Sequence, residues 1–370
     1  MPPKPSMTYQ KLSFIVQNIF VRYPHNMGET IRETSKICLN CGDWISSSIV
    51  FYCQNCGKCI KPKAKSFLDN SSIGKNNWWI WIVFTIIFIL VWQVVGSLPL
   101  IVFCGILKIG TVAGYSCSLD ELVITGASKA PNFLLMHTTF VIGAASFYFF
   151  LNVLHKKNLL KVLTERIRFD YKRSLFSLSI FFLFTVIPLT ATLLTDSSGL
   201  KLRDDIPDLL LITLIALIFV PIQASLEEAF FRGYLLQGFS LLFKSRVLIL
   251  IITSSLFAFL HLMNPEPWSY GVGTYLISVF MVGMFMGLIT LIDGGIELAV
   301  GIHIANNLWV HLIVGLEDSV IPSSSLFIST NQNLDMLPTI IFSMSQYALL
   351  TIVFAFRYKW FHKLKKYNTL

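Results

Sequence analysis

The chain is a succession of apolar runs, each about as long as a bilayer is thick, and this constrains its fold more than any other feature. A helix rises ~1.5 Å per residue, so about 20 residues cross a hydrocarbon core of ~30 Å. Runs of this kind lie near 78–103, 132–154, 175–195, 209–232, 247–263, 272–292, 294–315 and 338–356. In lipid every backbone N–H and C=O must be satisfied within the protein, which leaves helices as the form such runs take. The pattern predicts an all-α polytopic membrane protein with about eight transmembrane helices. Only 13% of the 370 residues are charged and the mean hydropathy is +0.67, whereas soluble domains carry about 25% charged residues. The stretch GSLPLIVFCGILKIG after Val95 reads either as a continuation of the first helix or as a re-entrant piece.

A net charge of +9 raises nucleic acid as a partner, but its distribution points to the lipid bilayer instead. Ten basic residues precede Trp78, seven lie from Lys156 to Arg173, five follow Phe356, and none lies between Arg246 and Arg357. Basic residues gathered in loops and tails mark cytoplasmic segments. The N-terminal region, the 155–174 loop and the C-terminal tail are therefore expected on the cytoplasmic face of the plasma membrane, in agreement with an even helix count. The loop EDSVIPSSSLFISTNQNLD has no basic residue and is expected outside. The first 30 residues hold no apolar core of signal-peptide length, so the first membrane segment is expected to direct insertion.

Residues 1–77 are expected to form a cytoplasmic zinc-ribbon-like β domain and linker ahead of a transmembrane domain at 78–370. CLNCG at Cys38–Gly42 recurs as CQNCG at Cys53–Gly57. Paired CxxC units are a zinc signature, and in each the Gly lets the backbone turn its amides toward thiolate sulfur. Cys38, Cys41, Cys53 and Cys56 would close a tetrahedral structural zinc site, with DWISSSIVFY between them suited to a short hairpin. Two disulfides are the competing arrangement, which a cytoplasmic position disfavours. Cys59 makes a second CxxC with Cys56 but lacks the following Gly. Cys104 and Cys117 are expected to be ordinary buried or loop thiols. Four cysteines leave no open coordination position, so the domain reads as a structural module or a docking site for a protein partner. Lys58, Lys61, Lys63 and Lys65 suit anionic lipid.

Polar groups inside the apolar runs are costly and mark functional sites. Three such groups stand out: EEAFFR, containing Glu227, Glu228 and Arg232; FAFLH, containing Phe257 and His261; and HIANN, containing His303 and Asn307. Glu228 and Arg232 share a helix face at i,i+4, and so do His303 and Asn307. Singly, each has a bland explanation: a self-neutralising ion pair, a helix-to-helix hydrogen bond, an interfacial Asn. Together they are the parts of a hydrolytic site, namely a base, imidazoles and a neutral oxyanion donor.

The ordered set EExxxR, FxxxH and HxxxN resembles the CPBP family, the CAAX prenyl endopeptidases and bacteriocin-processing (abortive-infection) proteins, which are intramembrane proteases. The resemblance covers roughly 175–315 and does not reach the cysteine-bearing region. It implies that Glu227, with His261, activates water, that His303 and Asn307 stabilise the oxyanion, and that Glu228 and Arg232 hold the geometry. It also implies a membrane-associated protein or peptide as substrate, either a prenylated C-terminal tail or a leader-type peptide. Family members are called metalloproteases, and a metal-free glutamate mechanism has also been proposed. Glu227, His261 and His303 could ligate a catalytic zinc in the manner of His₂Glu sites, although HExxH is absent. Apart from the resemblance, the same carboxylates and imidazoles suit a proton- or metal-coupled transporter. A catalytically dead scaffold that recruits a partner through the ribbon is a third reading.

Straight-helix geometry puts Glu227 late in an inward-running helix and His261 late in the next, outward-running one. A fourth helix shifted toward 220–243, kinked at Pro221, brings Glu227 nearer to His261 but still leaves His303 shallow.

Overall fold

The structure, a computed structural model, describes residues 66–109, 114–118, 123–126, 128–203, 206–316, 319–330 and 336–361. Ahead of these it describes only two strands, β1 (Lys36–Ile37) and β2 (Trp44–Ile45), which pair antiparallel with Ile37 opposite Trp44. Cys38, Cys41, Cys53 and Cys56, and with them the expected zinc site, lie outside the described residues.

Among the described residues seven helices are long and apolar enough to cross a membrane: α1 (Trp78–Lys108), α2 (Ala130–His155), α3 (Tyr171–Thr195), α4 (Asp208–Ser240), α5 (Arg246–Met263), α6 (Val272–Asp293) and α8 (Met336–Arg357). The remaining expected span, 294–315, is α7 (Glu297–Leu312), with only 16 residues. That is about 24 Å of helix, short of a bilayer. Most of its side chains are buried, and it packs chiefly on α3 and α4. Helix α7 is sheathed by protein, yet it still carries the chain across the bundle between α6 and α8, so the even number of passes expected from the sequence is kept. Leucines such as Leu210, Leu214 and Leu217 on α4 stay exposed, as an apolar surface facing lipid tails would.

Local signals set the helix ends. Asp170 caps α3 by accepting from Lys172 N, and Ser245 caps α5 by accepting from Leu248 N, each satisfying a first-turn donor. The left-handed φ of 87° at Gly294 ends α6, a common helix terminator. The ambiguous stretch after Val95 continues α1 through a π-turn at Val91–Val95 and past Pro99. Beyond it a hairpin, β3 (Tyr115–Ser118) with β4 (Val123–Gly126), folds back on the helix end. There Cys104 and Cys117 are joined in a disulfide, not the separate thiols expected. Their separation of 13 residues carries no pairing signal until the hairpin folds back.

Backbone contacts sort the loops into two ends. At one, Glu165 N donates to Gly294 O, Ile296 N donates to Leu163 O, and Trp360, just past α8, donates to Asp293. At the other, β5 (Leu200–Leu202), β6 (Val314–Gly315) and β7 (Phe327–Ser329) form a small sheet, with β7 central. The disulfide hairpin also belongs to this second end, since β4 is tied to the first turns of α2 by Ile124 N donating to Asn132 Oδ1. The basic 155–174 loop and the last turns of α8 therefore share one end.

The segment after α2 dips into the bundle. Leu159–Leu163 is a short helix, and Val162 and Thr164 are fully buried. Lys157 donates to Gln237 Oε1 at 2.9 Å, and burial pulls its ammonium down to about 7. Asn70 Nδ2 donates to Thr164 O, and Phe67 and Leu68 are buried, so the linker ahead of α1 docks on the same segment.

Helix α7 meets α3 at Gly301, where a Cβ would collide with Ser174 O and Ser177 Oγ. Small residues permit such close approach of helices in membranes. Gly301→Ala is expected to lower the thermal midpoint in detergent, since overpacking costs about 1–3 kcal/mol. An unchanged midpoint would show that the helices are not held this close.

Candidate active site

Helix α4 carries the two carboxylates. It is α-helical to Glu228 and turns π-helical over Ala229–Leu235. Such turns concentrate at functional sites. The re-entrant segment explains the location: Gly233 lies so close to Val162 that a Cβ would meet its backbone oxygen at 2.9 Å. Within the widened turn Arg232 Nη1 still donates to Glu228 Oε1 at 2.8 Å.

The same oxygen accepts from His303 Nδ1 at 2.7 Å. Glu228, fully buried, thus ties α4 to α7 and sets the orientation of the His303 ring. With Nδ1 held, His303 Nε2 faces Glu227 Oε2 at 3.7 Å, too long for a hydrogen bond. Consecutive residues point ~100° apart on a helix, so Glu227 takes a different side from Glu228 and retains 9% exposure where Glu228 has none.

His261 caps the last turn of α5. Its Nδ1–H donates to Phe257 O at 2.7 Å, which leaves Nε2 as the acceptor. Glu227, His303 and Arg232 are its charged neighbours. Phe257 is the common wall. Its ring lies 4.5 Å from that of His261, 6.5 Å from His303 and 5.0 Å from Phe231. The Arg232 guanidinium sits 4.2 Å above it, a cation–π distance. Asn307, one turn beyond His303, is half-buried and accepts from Asn306 Nδ2 at 3.2 Å. The three sequence motifs are therefore neighbours, with Asn307 at the edge.

The depth conflict has a structural answer. Helix α4 runs on to Ser240, well past the expected end near 232, which places Glu227 inside the bundle. Helix α7 begins deep because the Gly294–Gly295 turn rests on the re-entrant segment, with Thr164 bridging Gly295. His303 is consequently not shallow.

A buried ion network anchoring that turn was not anticipated from sequence. Arg166 donates to Asp293 Oδ2 at 2.7 Å and to Glu297 Oε2 at 3.0 Å, and Arg173 donates to Asp293 Oδ1 at 2.6 Å. The available signal was a pair of acids, Asp293 and Glu297, inside a long apolar stretch without basic residues. Their partners lie more than a hundred residues earlier, in the basic loop.

A His₂Glu metal site needs its three donors at one point. Among the described residues no group of three or more His, Cys, Asp or Glu side chains is gathered to hold a metal ion. His303 Nδ1 is engaged by Glu228, while its Nε2 faces Glu227 and His261 Nε2 keeps a lone pair.

Residues 206–309 match the family model for Type II CAAX prenyl endopeptidase Rce1-like proteins. That span contains every motif residue of the cluster. The chain is also similar to the protein named "Uncharacterized protein YyaK" of Bacillus subtilis (strain 168), at 28% identity over 252 residues, covering 67% of this chain and 81% of the relative. No solved structure matches the chain.

Proposed function

We propose that the chain is an intramembrane endopeptidase that hydrolyses a peptide bond in a membrane-associated protein or peptide. The observation that carries this reading is the single Glu228 oxygen that binds both Arg232 and His303 and turns His303 Nε2 toward Glu227. Glu227 is the general base, partnered by His261 Nε2. It takes a proton from water as the oxygen attacks the scissile carbonyl, and returns that proton to the leaving amine nitrogen as the C–N bond breaks. His303 and the Asn307 amide donate to the developing oxyanion, where preorganised donors in a dry site act strongly. Glu228 and Arg232 touch no substrate and position His303. Two carboxylates against one guanidinium leave one negative charge, which a proton on His303 Nε2 offsets. The match to the Rce1-like family supports a prenylated C-terminal tail as substrate, and a leader-type peptide remains the competing class.

The test uses the full chain in phospholipid nanodiscs with a farnesylated CAAX peptide and an unprenylated leader peptide. Cleavage of either supports the reading, and the faster one names the substrate class. No cleavage of either, together with proton or metal flux in liposomes, would favour a transporter.

The N-terminal region is proposed as a cytoplasmic zinc ribbon with Cys38, Cys41, Cys53 and Cys56 as ligands, available to a protein partner. Both termini are placed in the cytoplasm. The Cys104–Cys117 disulfide supports this, since it sits at the end opposite the basic loop and disulfides persist on the oxidising side. Purified full chain under reducing conditions is expected to hold one zinc, and the Cys38→Ser/Cys41→Ser variant none. A zinc-free wild type would remove the ribbon.

A further inference from the structure

Outside the motif cluster, three buried polar side chains from three helices gather beside it: His137 on α2, Gln223 on α4 and His311 on α7. None exceeds 7% exposure. His137 Nδ1–H donates to Phe133 O at 2.7 Å, so Nε2 carries a lone pair. His311 Nδ1 has no hydrogen-bond partner among the described residues, and His137 Nε2 and Gln223 Oε1 have none at ordinary hydrogen-bond geometry, although the two side chains interact with each other. Gln223 faces His137, and the His137 and His311 rings are 6.0 Å apart. Phe133, Phe140 and Phe219 close the surroundings, with Phe133 5.1 Å from the His311 ring. Leaving a buried polar group unpaired costs roughly 1–3 kcal/mol, and His311 Nδ1 beside the poorly satisfied His137–Gln223 pair calls for a common ligand.

Chemistry and burial select that ligand. Among the described residues no carboxylate faces either imidazole, so a divalent cation would bring uncompensated charge into the apolar belt. A substrate side chain cannot reach His137, which is fully buried. A small neutral donor fits, and buried waters typically satisfy about three such groups. The position is also telling. Gln223 precedes Glu227 by one turn on α4, and His303, Asn307 and His311 follow at four-residue intervals along α7. The cluster thus sits about 6 Å along the helices from the proposed base, toward the end that carries the β5–β7–β6 sheet.

We propose that His137, Gln223 and His311 bind an internal water one helical turn from Glu227, and that this site supplies the water Glu227 activates. The supply role rests on the endopeptidase reading, whereas the water site does not. A bond broken in a lipid-enclosed centre consumes one water per turnover. A polar station one turn away holds each incoming water beside the base instead of leaving its arrival at Glu227 to chance encounters in an apolar site.

X-ray radiolytic hydroxyl-radical footprinting of the full chain in nanodiscs tests the site directly, because radiolysis of a bound water makes it the source of label on its neighbours. Phe133, Phe84 and Phe88 are all fully buried, so burial alone predicts equal labelling. Phe133 is expected to label several-fold faster, and the excess is expected to vanish in Gln223→Leu/His311→Leu. Replacing these poorly satisfied groups by apolar ones is compatible with folding, and a thermal melt on the same sample checks it. Equal labelling of the three phenylalanines in the wild type overturns the water site. Protection of Phe133 by added zinc, lost in His137→Phe, overturns water in favour of a cation. For the supply role, kcat on the cleaved peptide is expected to fall in the double variant with KM unchanged. Excess label lost with kcat intact overturns that role. A wild type that cleaves nothing counts against the endopeptidase reading, while the footprint still decides the water site.

Discussion

Glu227→Gln is expected to remove hydrolysis while leaving the protein folded. The amide keeps the shape and the hydrogen-bonding capacity of the carboxylate but cannot take a proton from water. Loss of a general base costs about 10²–10⁴-fold in rate. Stability should change little, because Glu227 approaches His303 only to 3.7 Å, beyond hydrogen-bond distance, and keeps 9% exposure. The measurement is cleavage rate in nanodiscs against the thermal midpoint of the same preparation. A Glu227→Gln variant that cleaves at near the wild-type rate would take Glu227 out of the mechanism, and with it most of the endopeptidase reading.

Glu228→Gln should behave differently, and the contrast is diagnostic. Glu228 is fully buried and holds both Arg232 and His303 through one oxygen. Removing its charge leaves the Arg232 guanidinium, 2% exposed, without its ion partner. A buried charge stripped of its partner costs roughly 3–5 kcal/mol. The variant is therefore expected to melt lower than both wild type and Glu227→Gln, and to cleave more slowly per folded molecule because His303 loses its anchor. Double-mutant analysis separates the two effects. Glu228→Gln/Arg232→Met should regain much of the stability, since neither charge remains buried alone, yet should not regain the rate. Full recovery of rate in that pair would mean that orientation of His303 does not depend on Glu228.

How legible the site was depended on the range of the interactions. The i,i+4 pairing of Glu228 with Arg232 follows from helix geometry within one segment, and the ion pair is present. The role of Phe257 was less visible. FxxxH located the residue, but its place as the wall touched by Phe231, His261, His303 and Arg232 requires three helices to be assembled. Asn307 was grouped with His303 by spacing, and in the fold its carbonyl oxygen is engaged by Asn306. The Asp293–Arg166–Arg173 network and the His137–Gln223–His311 cluster join residues far apart in sequence, so no local pattern marks them.

By itself the sequence determined that this chain is helical and membrane-embedded, where its long apolar runs fall, and which polar residues interrupt them. Those properties follow from hydropathy and helical period, which are local. Tertiary structure decided the depth at which the polar residues meet. The re-entrant Leu159–Leu163 turn supports Gly294–Gly295, raises α7 and so lifts His303 to the level of Glu228. It also decided that the seventh apolar run, 294–315, is a 16-residue helix sheathed by protein, and that Cys104 and Cys117 join. The physical reason is common to all three. An apolar run has the same hydropathy whether lipid or protein surrounds it, and a polar residue has the same identity at any depth. Only packing against distant segments distinguishes these cases.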